Sequence, residues 1–151
     1  MPKSPIKILS TFFYIGYLPL VPGTFASIAG LLMFFLIKNN LFLYTSITLL
    51  FISLGLLVCG RAERIFSKKD AKYIVIDEIS GMLLSLIFIP YYNIRIVLVG
   101  FVLFRILDVL KPYPASKIQN LTGSLGVMGD DIIAALYTNI ILQLLFKGHF
   151  F

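Results

Sequence analysis

Apolar positions along this chain are grouped in long runs that polar residues separate. The clearest run extends from Leu41 to Gly60 and contains no charged side chain. A helix of about 20 apolar residues crosses the roughly 30 Å of bilayer hydrocarbon, so this run predicts a transmembrane helix. A similar run, Leu18 to Ile37, contains Pro19 and Pro22, which predict an irregular first turn and a regular helix from about Thr24.

Three further runs are shorter or interrupted. Residues Ile94 to Leu110 form a helix candidate that ends before Lys111-Pro112, because the residue before a proline is disfavoured in the α region. Residues Ile79 to Tyr92 and Ile132 to Phe146 reach span length only if the acidic pair before each run lies at the membrane surface or in a protein-lined cavity. We therefore expect one all-α domain over residues 1–151, a multi-helical integral membrane bundle of about five apolar helices.

Composition excludes several classes of protein. Hydrophobic residues make up 59% of the chain and charged residues 13%, with a mean hydropathy of +0.96. Soluble domains are roughly 45–50% apolar and about 25% charged, so an ordinary soluble, disordered or collagen-like chain is excluded. The one cysteine, Cys59, lies in an apolar run and is expected to serve packing, and His149 is expected to be incidental.

Basic residues are distributed unevenly between the segments that separate five spans. Residues 1–17, 61–76 and 111–130 lie on one side and carry nine lysines and arginines, whereas the other side carries three. The positive-inside rule places the first side, and a retained N-terminus, in the cytoplasm. This topology accounts for the net charge of +6, so anionic lipid headgroups are suitable partners and no nucleic acid is expected.

Five of the seven acidic residues lie at or inside the ends of apolar runs: Asp77, Glu78, Asp108, Asp130 and Asp131. The first pair opens the predicted third helix, the lone aspartate lies one turn from the end of the fourth, and the second pair opens the fifth. In the five-span topology all of them reach the cytoplasmic ends of helices, level with Pro22-Gly23-Thr24. A carboxylate near hydrocarbon needs a cation, hydrogen bonds or water, so this placement is typical of a functional site.

Arg105, Asp108 and Lys111 are three residues apart, so on a helix they share one face. They form either an ion-pair ladder at a membrane end, or a site in which Asp108 binds a metal and both cations face phosphate oxygens. Members of each adjacent acidic pair are about 100° apart around a helix, so we do not expect both to point easily at one ion. Helix capping would explain one such acid but hardly the whole set.

The segment Gly123 to Gly129 leads into the second acidic pair and a predicted helix. Glycines there let the backbone approach an anion, which the free amides of a helix N-terminus bind, although such turns are often only structural. Clustered oxygen ligands without His or Cys favour Mg²⁺ over Zn²⁺, and Mg²⁺ sites join carboxylates to substrate phosphates. The pattern therefore indicates phosphate chemistry with water as the nucleophile.

Four short blocks resemble the signature blocks of the phosphatidylglycerophosphatase A family and occur in the family's order. They are Val21-Pro22-Gly23-Thr24; Val75-Ile76-Asp77-Glu78 followed by Gly81-Met82; Phe104-Arg105 with Asp108 and Lys111-Pro112; and residues Gly123 to Asp131. The resemblance implies a Mg²⁺-dependent phosphatase that converts phosphatidylglycerophosphate to phosphatidylglycerol and phosphate, on the cytoplasmic side of a bacterial inner membrane.

The resemblance also implies an acid and phosphate-binding set: Asp77, Glu78, Asp108, Lys111, Asp130 and Asp131, with Gly23 and Thr24 as supporting groups. Ala26, Ser124 and Ala135 stand where relatives are expected to carry glycines, and every charged position is intact. The family includes soluble forms with the same helical core, so the resemblance does not fix the number of spans.

Our hypothesis for the chemistry is that one or two Mg²⁺ ions bind the phosphomonoester and acidify an attacking water. The expected ligands are Asp77 or Glu78 together with Asp108, Asp130 and Asp131. Arg105 and Lys111 would offset charge on the phosphate oxygens. The number of metal ions, the general base, the oligomeric state and the spanning of the third and fifth helices stay open.

Three other functions compete with this hypothesis. A CDP-alcohol phosphotransferase would carry a dense Asp-Gly and Ala-Arg signature, which the sequence lacks. An ion-coupled transporter would use the embedded carboxylates, but it would hold them at the midplane rather than at one end. A non-catalytic assembly subunit gives no reason for five clustered acids.

Overall fold

The computed structural model describes residues 3–89 and 93–147. Within these residues the chain forms seven α-helices, a short 3-10 helix (Ile15–Tyr17) and no strand, which confirms the all-α class. The α-helices are α1 Lys3–Ser10, α2 Pro22–Ile37, α3 Leu41–Phe66, α4 Ile76–Ser85, α5 Ile94–Leu110, α6 Ala115–Ile118 and α7 Ser124–Lys147. Helix α4 lies at the centre, where it contacts α2, α3, α5 and α7.

The predicted number of about five spans is not confirmed. By length and composition, two of the described helices could cross a membrane, α3 and α7 over Ser124–Leu145. Helix α5 has the predicted bounds but is 17 residues long, and α2 has 16. Helix α2 begins at Pro22, slightly before the predicted Thr24, because proline suits the first turn, where no N–H is needed.

Large apolar side chains remain exposed on the outer faces of these helices. Leu36 of α2 is 83% exposed, Leu57 of α3 is 62% exposed and Val109 of α5 is 72% exposed. Apolar side chains of this size are also exposed at further positions on the same three helices. An apolar surface spread over several helices is unfavourable in water and marks a membrane or protein contact. Membrane association is therefore consistent with the fold.

Helix α4 differs most from its prediction. The expected span from Ile79 to Tyr92 is instead a helix of ten residues that ends at Ser85, and residues 90–92 lie outside the described part of the chain. Side chains on almost every face of α4 are buried, including those of Ile76, Met82 and Leu83. A helix that is enclosed by protein does not need span length, because its neighbours rather than lipid surround its ends.

Helix α7 begins earlier than predicted. It starts at Ser124 rather than near Ile132, so the prediction of a glycine-rich loop that ends at an acidic helix N-terminus is wrong. Gly123, with a φ of +76°, makes the turn before the helix. Gly126 lies inside α7, where a Cβ would overlap the carbonyl oxygen of Leu121. The glycines therefore serve close packing of the preceding turn on the helix.

Two short helices, α1 and α6, have no counterpart among the predicted elements. Helix α1 packs on α3 through the buried Ile6, and α6 packs on α7. Periodicity could not reveal them, because α1 has eight residues and α6 has four. Helix α1 also positions the chain that enters α4, since the N–H of Val75 donates to the carbonyl of Ser10 at 2.8 Å.

A buried polar residue of α7 holds the end of α4. Asn139 Nδ2 donates to the carbonyl oxygens of Ser85, at 3.1 Å, and Ile87, at 2.7 Å. We expect Asn139→Leu to lower the free energy of unfolding by about 2 kcal/mol, because both carbonyls would lose this donor in a dry site. Denaturant titration in detergent measures the change. Gln143→Leu removes only the donor to Asn139 Oδ1 and should cost less; equal losses would contradict the assignment.

Candidate metal and phosphate site

The first turn of α4 carries two acids. Asp77 and Glu78 directly follow Ile76, the first residue of the helix, as the sequence predicts. Carboxylates are favoured there by the helix dipole and by the free N–H groups of the first turn. Asp77 is 6% exposed and Glu78 is half-buried. Asp77 Oδ1 and Glu78 Oε2 are buried and have no hydrogen-bond partner among the described residues.

Asp131 of α7 faces this turn. It follows Ser124 by seven residues, which is about 10 Å along the helix axis, and so does not lie at the helix N-terminus as predicted. Helices α4 and α7 pack closely at this point: a Cβ added to Gly81 of α4 would lie only 3.4 Å from the Asp131 carbonyl oxygen. This packing brings Asp131 near the first turn of α4. One carboxylate oxygen from each of Asp77, Glu78 and Asp131 lies within 4.8 Å of the other two. We call these three residues the acidic cluster.

The two adjacent acidic pairs differ in geometry. Asp77 and Glu78 both reach the cluster with Asp131, so the expectation that neighbours on a helix diverge is wrong for this pair. The side chain of Glu78 is one methylene longer than that of Asp77, which gives its carboxylate additional reach. The second pair does diverge: Asp131 joins the cluster, and Asp130 forms a salt bridge with Lys111.

Negative charge exceeds positive charge in the acidic cluster. Burial raises the pKa of Asp77 well above its usual value, and the negative charges of Glu78 and Asp131 raise it further. Burial also raises the pKa of Glu78, although a hydrogen bond with Asp77 and the positive charge of Arg105 reduce the rise. Asp131 Oδ2 is buried without a partner among the described residues. Unpaired buried carboxylates are costly, so this arrangement is typical of a cation-binding site.

A chain of alternating charges runs along α5 beside the cluster. Arg105 Nη1 lies 2.8 Å from Asp108 Oδ2, and Lys111 Nζ lies 3.8 Å from Asp108 Oδ1, as their three-residue spacing predicts. Lys111 also bonds Asp130 Oδ2. Burial lowers the pKa of Lys111, but the hydrogen bond and charge of Asp130 outweigh burial, so this pKa is raised. Asp108 and Asp130 are thus paired with cations, unlike the acidic cluster, although Asp130 Oδ1 is also buried without a hydrogen-bond partner among the described residues.

The first turn of α2 packs on the other side of Glu78. A Cβ on Gly23 would overlap Glu78 Oε1 and would lie 3.5 Å from Arg105 Nη1, so only glycine fits without displacement. Ser27, one turn later, accepts a hydrogen bond from Arg105 Nη1 at 3.4 Å and donates to the Gly23 carbonyl at 2.9 Å. Ser27 was not among the site residues predicted from the sequence; its four-residue spacing from Gly23 was the available signal.

The donor set of the acidic cluster fits a hard divalent cation. Three carboxylates converge, and each has a buried oxygen without a partner among the described residues. Carboxylate oxygens without imidazole or thiolate are the ligands that Mg²⁺ and Ca²⁺ prefer. Cys59 is buried among apolar side chains and is not part of this group of ligand atoms, and His149 lies outside the described residues. The cluster therefore has the ligands to hold a metal ion, without defining which one.

Known proteins with similar sequences are phosphatases. Residues 8–146 match the family model described as phosphatidylglycerophosphatase A. The chain is 35% identical over 149 residues to phosphatidylglycerophosphatase A of Escherichia coli, covering 97% of this chain and 86% of that protein. It is 32% identical over 142 residues to phosphatidylglycerophosphatase A of Haemophilus influenzae, covering 92% and 87%.

A further relative carries another substrate in its name. The chain is 32% identical over 146 residues to a provisionally named phosphatidylinositol-3-phosphatase of Bacteroides thetaiotaomicron, covering 89% of each protein. No solved structure matches the chain significantly. These comparisons favour a phosphatase over the ion-coupled transporter considered above.

Proposed function

Because the chain belongs to the phosphatidylglycerophosphatase A family and is a phosphatase, we propose that it hydrolyses the terminal phosphomonoester of phosphatidylglycerophosphate with Mg²⁺ as cofactor. The products are phosphatidylglycerol and phosphate. The observation that carries the proposal is the acidic cluster, whose three carboxylates approach within 4.8 Å of one another. Phosphate-binding Mg²⁺ sites are commonly built from a few carboxylates together with substrate phosphates.

The proposed metal ligands are Asp77, Glu78 and Asp131, with Asp108 and Asp130 as the adjoining members of the acidic set. Bound Mg²⁺ would supply Lewis acidity toward a phosphate oxygen and toward water. The burial of Asp77 and Asp131 excludes bulk solvent from their carboxylates. A carboxylate of this set that does not bind the metal can accept the proton of the attacking water.

Arg105 and Lys111 are the proposed cations for the phosphate oxygens. Both contact Asp108, which adjoins the acidic cluster. These contacts hold the two charged groups in place before a substrate binds. Phosphoryl transfer spreads negative charge over three equatorial oxygens, and enzymes accelerate it mainly by positioning and electrostatic stabilisation. Oriented cations in a partly buried site act more strongly than cations in water. Gly23 and Thr24 are proposed to support this arrangement from α2.

We also propose that α3 and α7 cross a bacterial inner membrane and that the site faces the cytoplasm. Basic residues gather where α3 ends and α7 begins, and Lys69 Nζ donates there to the carbonyl of Asn120 at 2.9 Å. The two helices meet at this end, where the N–H of Gly60 donates to Ser124 Oγ at 2.7 Å. The positive-inside rule favours a cytoplasmic location for such a basic end.

The test is phosphate release from phosphatidylglycerophosphate in mixed micelles by the purified protein, with Mg²⁺ and then with excess EDTA. We expect release that EDTA abolishes. Phosphatidylinositol 3-phosphate serves as a parallel substrate, because one relative is named for it. Faster release from that lipid would refute the proposed substrate, and no release from either lipid with any divalent metal would refute the proposed function.

We expect Gly23→Ala to lower kcat/KM about 10- to 100-fold, because the added methyl group must displace the Glu78 carboxylate, and small misplacements of reacting groups have effects of that size. The assay is the Mg²⁺-dependent phosphate release described above. Gly100→Ala is the matched control: its methyl group would meet Leu86 Cδ2 at 2.9 Å and Leu142 Cδ1 at 3.1 Å, which are apolar side-chain ends. If both variants lose the same activity, Gly23 has only a packing role.

A further inference from the structure

An apolar groove lies beside the candidate site, between the first turn of α2 and the C-terminal half of α5. Its volume of 440 Å³ falls within the roughly 300–1,000 Å³ that is typical of small-molecule sites. It is lined by Thr24, Arg105 and five apolar side chains: Phe101, Val102, Ile106, Val109 and Leu110. The last two are 72% and 71% exposed, so the groove is open along its side.

The groove shares Arg105 with the candidate site. This residue lines the groove, and its guanidinium contacts Asp108 and Ser27. The other polar lining residue, Thr24, directly follows Gly23, which packs on the Glu78 carboxylate. Long basic side chains commonly lay their methylenes on an apolar surface while the charge reaches a polar one. A ligand in the groove would therefore present its polar end to the acidic cluster.

The chemical groups of this surface match a phospholipid that ends in a phosphomonoester. The groove offers apolar side chains and Arg105, whose guanidinium also contacts Asp108 and whose charge acts on Glu78 of the acidic cluster. Phosphatidylglycerophosphate carries acyl chains, then a phosphodiester anion, then the terminal phosphate. From Phe101 to Leu110, α5 extends about 14 Å, which lets an extended chain lie along several apolar side chains.

On the basis of the proposed function, we propose that this groove binds the glycerol backbone and the first part of an acyl chain of the lipid substrate. The terminal phosphate then lies beside Arg105, which lines the groove and also contacts Asp108. The groove thereby selects a membrane lipid over a soluble phosphomonoester. Bulk bilayer lipid that merely covers the groove is the competing occupant, and it would confer no such selectivity.

The first experiment fills the groove with Ile106→Trp. Ile106 is 47% exposed on α5, and Leu98, 52% exposed on the same helix, offers the matched control Leu98→Trp outside the groove. We expect Ile106→Trp to raise KM for phosphatidylglycerophosphate about tenfold, while kcat/KM for glycerol 3-phosphate changes less than about twofold. Leu98→Trp should leave both values near those of the unmodified protein.

Three kinetic results would overturn the groove assignment: equal losses on both substrates, unchanged KM for the lipid, or the same rise in KM for Leu98→Trp. If Ile106→Trp does not fold, Val109→Trp fills the groove from a more exposed position. Release of phosphate by the unmodified protein, measured first, tests the proposed function itself. A negative result for the groove variants would then exclude lipid selection by the groove without excluding the phosphatase function.

The second experiment needs no turnover. The chain contains no tryptophan and eight tyrosines, so Val109→Trp and Leu98→Trp each introduce a single tryptophan that can be excited selectively. Dihexanoyl phosphatidylglycerol, the product with short chains, should saturably shift the emission of the groove tryptophan and leave that of Leu98→Trp unchanged. Equal shifts in both variants, or none in Val109→Trp, would refute binding in the groove even if the protein is an active phosphatase.

Discussion

Asp131→Asn is expected to abolish Mg²⁺-dependent phosphate release, with kcat lowered about 1,000-fold or more. The amide keeps the size of the side chain but loses the charge that the acidic cluster presents to a cation. A 1,000-fold loss corresponds to about 4 kcal/mol of transition-state stabilisation, within the several kcal/mol that metal-ion catalysis supplies. Phosphate release at saturating Mg²⁺ measures it, and retained turnover there would exclude Asp131 as a ligand.

Although Asp131→Asn should lose activity, it should increase the stability of the metal-free protein. Asp131 is 3% exposed and one of its oxygens has no partner among the described residues. Without metal, removing its charge relieves repulsion from Asp77 and Glu78, so we expect the free energy of unfolding to rise by about 1 kcal/mol. Mg²⁺ should stabilise the unmodified protein, because it binds the folded state, and should not stabilise the variant.

Asp70→Asn is the matched control for Asp131→Asn. Asp70 lies exposed between α3 and α4, and its φ of 47° is one that asparagine also adopts. This variant should keep both its turnover and its stabilisation by Mg²⁺. A similar loss in both variants would mean that total negative charge, rather than the acidic cluster, determines activity.

Lys111→Gln is expected to have the largest effect on stability, about 3 kcal/mol. Lys111 pairs with Asp130 and Asp108, and the side chain of Asp130 is only 5% exposed. Removing one partner of a buried ion pair leaves the other charge uncompensated, which costs about 3–5 kcal/mol. The value for Lys111 belongs at the lower end because its own side chain is 22% exposed. Chemical unfolding in detergent measures the loss.

Two comparisons isolate the charge effect at Lys111. Lys117→Gln removes a lysine whose ammonium lies 5.3 Å from the Tyr113 ring centroid, and it should cost under about 1 kcal/mol. The double variant Lys111→Gln/Asp130→Asn should recover much of the stability, because no buried charge is left unpaired. Failure of this recovery would show that Lys111 acts through packing rather than through its charge.

The outer helices could be predicted from the sequence because local information determines them. The apolar run from Leu41 predicts α3, and Lys111-Pro112 ends α5 at the predicted residue. The error at α4 has a physical cause: hydropathy reports apolar length but not whether neighbouring helices enclose a segment. The error at Gly126 is similar, since a glycine that serves packing inside a helix has the same local signature as one in a loop.

The residues of the candidate site were predicted more readily than their grouping. Charge near apolar runs pointed to the three residues that form the acidic cluster, and the spacing of Arg105, Asp108 and Lys111 predicted their shared face. That Asp77, Glu78 and Asp131 converge depends on the register of α4 against α7, which no local pattern encodes. Whether these residues hold Mg²⁺ stays a prediction that the Asp131 experiments test.

The position of the acidic cluster has a consequence for how the protein is made. Two of its carboxylates lie on α4, a ten-residue helix too short to cross a bilayer, and the third lies on α7, with two helices between them in the chain. When α4 leaves the ribosome, α7 has not yet been synthesised, so Asp77 and Glu78 lack both the carboxylate of Asp131 and the helix that packs beside them. The cluster can form only after α7 has been synthesised and has packed on α4. In the proposed mechanism, activity therefore begins only when α7 has packed on α4, so a chain that is still being synthesised cannot consume substrate.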